Sequence, residues 1–242
     1  MKLNSIGKTF GTTVSAAAIA ALALAGCGSD NNAGTSGSNG GGDTGTVAAG
    51  SAEECGGKDT LTAEGSSAQQ NAMAVFAQTW GQVCQGKNIS YNPTGSGAGR
   101  EQFVAGNVDI GGSDSPIKEE QAQQAAQRCN GNEVWNLPLV FGPVAMAYNV
   151  EGVEGLVLNA DVIAQIFQGG ITNWNDPAIA ALNEGKTLPD QGITPIYRSD
   201  SSGTTDNFQL YLEAAAPEAW TKGSGSEFQG GAGEGAQKSS GV

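Results

Sequence analysis

Between residues 58 and 220, short apolar runs alternate with stretches whose apolar positions recur every three or four residues, the pattern of strands alternating with helices. The run 59–63 reads as a first strand. Ser67 then stands where a helix N-cap would, with Gln70 as its capping-box partner. Ala72, Val75, Phe76, Thr79, Trp80 and Val83 follow at helical spacing and predict one inward face. Residues 89–91 form a second strand, closed by Pro93 and a glycine-rich turn. A short helix over 99–105 turns Phe103 and Val104 inward, and 108–112 is a third strand running into Pro116, after which another helix starts. This β-α-β-α-β-α order predicts a parallel sheet covered on both faces.

The second half repeats the theme. Residues 133–139 and 144–150 read as extended, with Pro143 at the crossing into a second lobe. Asn159 caps a helix whose apolar positions are Val162, Ile163, Ile166 and Phe167, and Gly169-Gly170 ends it. A polar turn over 171–177 introduces a short helix at 178–182. A strand over 193–197 feeds the loop 198–205 and then a helix over 206–215, with Phe208, Tyr211 and Leu212 on one side. Ligands of open α/β sheets sit beyond the carboxyl ends of the strands, so chemistry is sought in the loops that follow them.

Both flanks are different in kind. Lys2 and Lys8 precede an apolar run over 14–25 that is too short for a permanent membrane helix, which needs roughly 20 apolar residues. Residues 1–26 therefore read as an export signal, followed directly by Cys27. Eight glycines among residues 28–50, with hardly an apolar side chain, make a tether that cannot repay the entropy of ordering. Residues 221–242 carry seven glycines, and Phe228 is their one large aromatic residue, so this stretch reads as a tail or as a chain that stops inside a loop. Cys55, Cys84 and Cys129 lie in the exported part. A Cys84–Cys129 disulfide is expected, which leaves Cys55 in need of another partner, although spacing also allows other pairings.

Charge narrows the function. The 242 residues hold 11 Lys plus Arg against 24 Asp plus Glu and no His, for a net charge of −13. Without the signal the balance is 9 against 24, or −15, so no nucleic-acid partner is expected and any membrane hold must come from lipid rather than charge. The absence of His removes Ser-His-Asp, Cys-His and HExxH chemistry. No cofactor or metal is implied, and Asp161, Asp176 and Asp190 read as helix caps or solvent-facing groups.

Four strand-end loops share a composition: Gly65-Ser66-Ser67, Thr94-Gly95-Ser96-Gly97-Ala98-Gly99, Gly112-Ser113-Asp114-Ser115, and the eight residues from Arg198 to Thr205. Each pairs hydroxyls with glycine or with a helix start. Backbone N–H groups and hydroxyls can then face one anion, and Arg198 adds a planar fork able to hold two oxygens. The 94–99 run lacks the Gly-Lys-Thr ending of a nucleotide P-loop.

The blocks Tyr91-Asn92-Pro93-Thr94-Gly95-Ser96-Gly97-Ala98-Gly99, Val108-Asp109-Ile110-Gly111-Gly112-Ser113-Asp114-Ser115-Pro116-Ile117 and Arg198-Ser199-Asp200-Ser201-Ser202-Gly203-Thr204-Thr205, with their spacing, resemble the bacterial phosphate-binding lipoproteins of high-affinity ABC phosphate uptake. Leu24-Ala25-Gly26-Cys27 likewise resembles the lipoprotein processing box, which makes Cys27 the lipidated residue. The resemblance covers nearly all of residues 58–228. It implies an α/β, two-lobed periplasmic-binding-protein fold of type II with the ligand cleft between lobes. The parts would be a signal at 1–26, lipidated Cys and tether at 27–57, a first lobe at 58–141 and an incomplete second lobe at 142–242, since the family pattern continues further.

By motif, Ser67 and the Ala68 amide resemble the first-loop phosphate donors, Ser96 the second-loop hydroxyl and Asp114 the carboxylate acceptor. Arg198, Ser202, Gly203 and Thr204 resemble the fork, hydroxyls and amides of the third block, with Asp200 orienting the arginine. This sequence departs from the family's more usual Thr-Phe at 67–68. The resemblance implies a receptor without covalent chemistry, lipid-anchored on the outer face of the cell membrane, that passes phosphate to an ABC permease and its ATPase. The other classes considered are a secreted phosphomonoester hydrolase and a surface adhesion module.

Overall fold

The computed structural model describes residues 55–242, and the expected signal, tether and lipidation site at Cys27 lie outside the described residues. Two parallel sheets carry the chain. The first has the order β2-β1-β3, built from β1 (Thr60–Gly65), β2 (Asn88–Asn92) and β3 (Ile110–Gly112). Both of its pairings are parallel, with Ala63 opposite Tyr91 on one side and opposite Ile110 on the other. Helices α1 (Gln70–Val83) and α2 (Ser96–Val104) make the crossovers between these strands, and α3 (Glu119–Arg128) follows β3. The second sheet pairs β4 (Ile196–Arg198) with β5 (Glu234–Ala236), again parallel, and α4 (Ala160–Gln168), α5 (Pro177–Leu182) and α6 (Gly203–Ala215) belong to the same half of the chain.

Local chemistry explains the helix ends that were expected. Asn159 Oδ1 accepts from the Val162 amide at 2.9 Å, and Gly169 closes α4 in the left-handed region at φ 83°. Asp176 caps α5 through the Ala178 amide at 2.8 Å, with Pro177 at the first helical position. The apolar face of α4 enters two adjoining cores. One gathers Val162, Ile166, Ile171, Trp174 and Ile179, and the other Ile163, Ala164, Leu212, Ala216 and Trp220.

Several expectations are corrected. Ser66, not Ser67, is the cap after β1: its hydroxyl accepts from the Ala68 amide at 3.1 Å, and a 3₁₀ turn over Ser67–Gln69 precedes α1. On α1 Met73 is the buried residue, the expected Ala72, Thr79, Trp80 and Val83 are half-buried, and Val75 and Phe76 are exposed rather than inward. Cys84, which follows the helix, is bonded to Cys55 in a disulfide at a Cα separation of 5.4 Å. The expected Cys84–Cys129 pair is therefore not formed, and Cys129 is free.

In α6 the stripe is Thr205, Gln209 and Leu212, while Tyr211 is exposed. Gln209 displaces an apolar residue because its amide is fully used: it donates to the Gly225 and Glu227 carbonyls at 2.8 and 3.1 Å and accepts from the Gln229 amide at 2.6 Å. The stretch 221–242 is accordingly not a tail. It carries β5, and Phe228 stacks on Tyr197 at 4.2 Å. The runs 133–139 and 144–150 join no ladder, because no strand among the described residues offers them backbone partners. Trp135 is 78% and Phe141 90% exposed, and this segment lines a cavity of about 1720 Å³.

Replacing Cys55 and Cys84 together by Ser should lower the unfolding free energy by about 2–4 kcal/mol. Cys129→Ser should change it by less than about 1 kcal/mol. Urea unfolding at neutral pH measures both, and an equal loss at Cys129 would contradict the observed pairing.

Candidate functional site

Four loops meet where the two sheets approach, and each arrives from the carboxyl end of a strand. Asp114, two residues past β3, is the point of contact. Its Oδ2 accepts from Ser66 Oγ at 2.7 Å, from Thr204 Oγ1 at 3.0 Å and from Ser96 Oγ at 3.5 Å, while Oδ1 faces Gln69 Nε2 at 3.4 Å. The Asp114 amide donates back to Ser96 Oγ at 3.2 Å. Ser66 follows β1, Ser96 opens α2 and Thr204 lies in the first turn of α6, so three helix starts point at one carboxylate.

A second cluster surrounds Arg198, buried at the end of β4. Its Nε donates to Asp200 Oδ1 at 2.6 Å and its Nη2 to Asp200 Oδ2, so one edge of the fork is held bidentately. The remaining Nη1 donates to Ser239 Oγ at 3.3 Å, and Ser239 in turn donates its amide to Ser67 Oγ at 2.9 Å. Burial pushes the Asp200 carboxyl up, but bonds from Arg198 and from the Lys238 amide outweigh it and hold the group below its ordinary value.

The loops pack so closely that only glycine fits between them. A Cβ on Gly97 would lie 2.1 Å from Ser201 Oγ, and the Gly97 amide donates to the Ser201 carbonyl at 3.0 Å. A Cβ on Gly203 would fall 2.7 Å from the Ser115 amide nitrogen and 2.8 Å from Ser96 Oγ. Glycine here is a condition of contact between the first sheet's loops and α6.

The sequence-derived residues fall at these loops: Ser96, Asp114, Gly203 and Thr204 about the carboxylate, Ser67, Arg198 and Asp200 about the guanidinium, and Ala68 and Ser202 at helix starts beside them. Ser202 and the Ala68 amide take part in helix-start caps. Ser202 Oγ accepts from the Thr205 amide at 3.2 Å as the cap of α6, and the Ala68 amide is engaged by Ser66. Ser66, Gln69, Tyr91 and Ser239 were not singled out. Tyr91 donates its hydroxyl to the Ser66 carbonyl at 2.6 Å, and burial, with Asp114 nearby, pushes its phenol well above its usual range, so it stays a donor. Ser66 and Tyr91 stood inside the motifs already quoted. Ser239, 172 residues from Ser67, had no local signal at all.

Residues 35–241 match the PBP superfamily domain. The phosphate-binding protein PstS 3 of Mycobacterium tuberculosis (strain ATCC 25618 / H37Rv) is 48% identical over 242 residues, which is 100% of this chain and 62% of that relative. PstS 2 of the same strain is 46% identical over 234 residues, covering 96% of this chain and 61% of its own length. The chain therefore spans less than two thirds of these relatives. Among solved structures, a Clostridium perfringens substrate-binding protein with bound phosphate aligns with a TM-score of 0.51 at 22% identity, over 75% of this chain and 63% of that one, a likeness of fold.

The lowered Asp200 carboxyl gives a pH prediction. A carboxylate held below its unfolded value stabilises the fold above about pH 4, and that contribution is lost as pH falls through the folded value. Asp200→Asn should therefore be less stable than wild type at pH 7, with the gap narrowing below about pH 4. Urea midpoints across that range measure it, and a gap independent of pH would contradict the pairing.

Proposed function

The chain belongs to the PBP superfamily, and on that premise we propose that it captures inorganic phosphate outside the cytoplasmic membrane and passes it to an ABC permease and its ATPase. In this reading residues 58–141 and 142–242 act as two lobes, lipid on Cys27 tethers the receptor, and no covalent chemistry takes place. The observation that carries the reading is the meeting of the Asp114 carboxylate with the Ser66, Ser96 and Thr204 hydroxyls, beside the Arg198 fork. The Mycobacterium relative is a phosphate-binding protein and the Clostridium perfringens protein holds bound phosphate, which supports the same ligand class.

The chemistry follows from protons. Phosphate near neutral pH keeps at least one, whereas sulfate keeps none. A carboxylate can accept a hydrogen bond from the protonated anion, but it repels the bare oxygens of sulfate and has nothing to accept from them. Each hydroxyl around Asp114 carries a hydrogen that can swing from the carboxylate to an anion oxygen, and Arg198 supplies the positive charge. Selectivity then rests on the penalty against the wrong ligand.

Equilibrium dialysis with labelled phosphate and a sulfate competitor tests this. Arg198→Ala should weaken phosphate binding roughly 10- to 100-fold, the worth of a hydrogen bond to a charged group. Asp114→Asn should raise sulfate affinity relative to phosphate by about 10-fold or more. Wild-type protein that retains no phosphate, or an Asp114→Asn variant with unchanged selectivity, would contradict the proposal.

A further inference from the structure

Arg100 stands in α2, four residues after Ser96, and is only 7% exposed. A guanidinium taken that far from water needs partners for its donors, and a carboxylate is the usual choice. Here every hydrogen-bond partner is neutral. Nε donates to Gln121 Oε1 at 3.1 Å, Nη1 to Ser113 Oγ at 2.8 Å and to Ser115 Oγ at 3.1 Å, and Nη2 to Ser226 Oγ at 2.8 Å. Burial pulls its pKa down, opposed through space by Asp206, Glu101 and Asp114.

The partners are informative by position. Ser113 and Ser115 are the two neighbours of Asp114, so one nitrogen of Arg100 holds the chain on both sides of the carboxylate. Ser226 lies in the other half of the chain, in the loop that the buried Gln209 pins through Gly225 and Glu227. Its carbonyl accepts from the Ser202 amide at 2.9 Å, and Ser202 caps α6, which presents Thr204 to Asp114. Arg100 thus reaches the supports of both groups in the Thr204–Asp114 contact.

We propose that Arg100 is a positioning residue that latches the loop after β3 to the loop before β5, and by doing so sets the affinity of the anion site without touching the anion. The phosphate part of this inference rests on the function proposed above. Arginine suits the role because its flat fork presents separate nitrogens in fixed directions to three elements, whereas a lysine ammonium is one point that cannot serve Gln121, the two serines and Ser226 together.

The test uses Arg100→Lys, Ser226→Ala and the double variant in the whole chain. Phosphate affinity is read by equilibrium dialysis, and backbone hydrogen exchange is read without phosphate. Each single change should weaken phosphate binding about 10-fold, and the double variant should bind no more weakly than the worse single one, because one cut opens the latch. Arg100→Lys should also speed exchange over both 113–115 and 223–229. Single-variant affinities equal to wild type, losses that multiply in the double variant, or exchange that changes over 113–115 alone would each overturn the latch. Wild type that binds no phosphate, with faster exchange in both loops of Arg100→Lys, would refute the phosphate reading and leave the latch standing.

Discussion

A half-buried carboxylate must replace the water it loses with donors, and much of this structure is arranged to bring donors to Asp114. Ser66, Ser96 and Thr204 come from three different helix starts: the first two follow strands of the same sheet as Asp114, and Thr204 can reach the carboxylate only because the loops of the two sheets touch. That contact demands glycine at 97 and 203, because a single added carbon would drive the loops apart. The parallel sheets bring their carboxyl ends together, and the helix starts that follow supply amides and hydroxyls at the same place. Fold and site therefore follow from one requirement, that the strand ends of both halves converge.

The same requirement explains the polar residues buried away from Asp114. Gln209 costs the α6 core an apolar side chain, yet it holds the 225–229 loop by three backbone bonds. Tyr91 holds the Ser66 carbonyl, and Asp200 holds one edge of the Arg198 fork through both its oxygens. Networks of this kind are stabilising only when every member is satisfied, and in return they leave the site little freedom to rearrange. Under the proposed function that rigidity would serve selectivity, because a wrong ligand could not be accommodated by a small shift.

What could be read from the amino-acid order was what is decided locally. The parallel β-α-β order, the Asn159 cap, the Gly169 stop and the grouping of Ser67, Ser96, Asp114, Arg198 and Thr204 depend on short motifs. Adjacent alternatives were harder: Ser66 and Ser67 are equally good caps by type, and helical spacing alone does not say that Met73 is buried while Val75 and Phe76 stay exposed. Long-range choices left no trace. The pairing of Cys84 with Cys55, the reach of Arg100 to Ser226 and of Ser239 to Ser67 are settled by packing across many residues. The runs 133–139 and 144–150 have strand composition, but a strand needs a neighbour, and composition does not say whether one is present.

The central claim is that loops from both sheets enclose one tetrahedral oxyanion. A crystal soaked with arsenate, which shares the charge and protonation of phosphate and scatters anomalously, tests it most directly. The account predicts a single strong anomalous peak within hydrogen-bonding distance of Ser96, Asp114, Arg198 and Thr204. A peak elsewhere, with those four side chains keeping only the protein partners they have here, would contradict it.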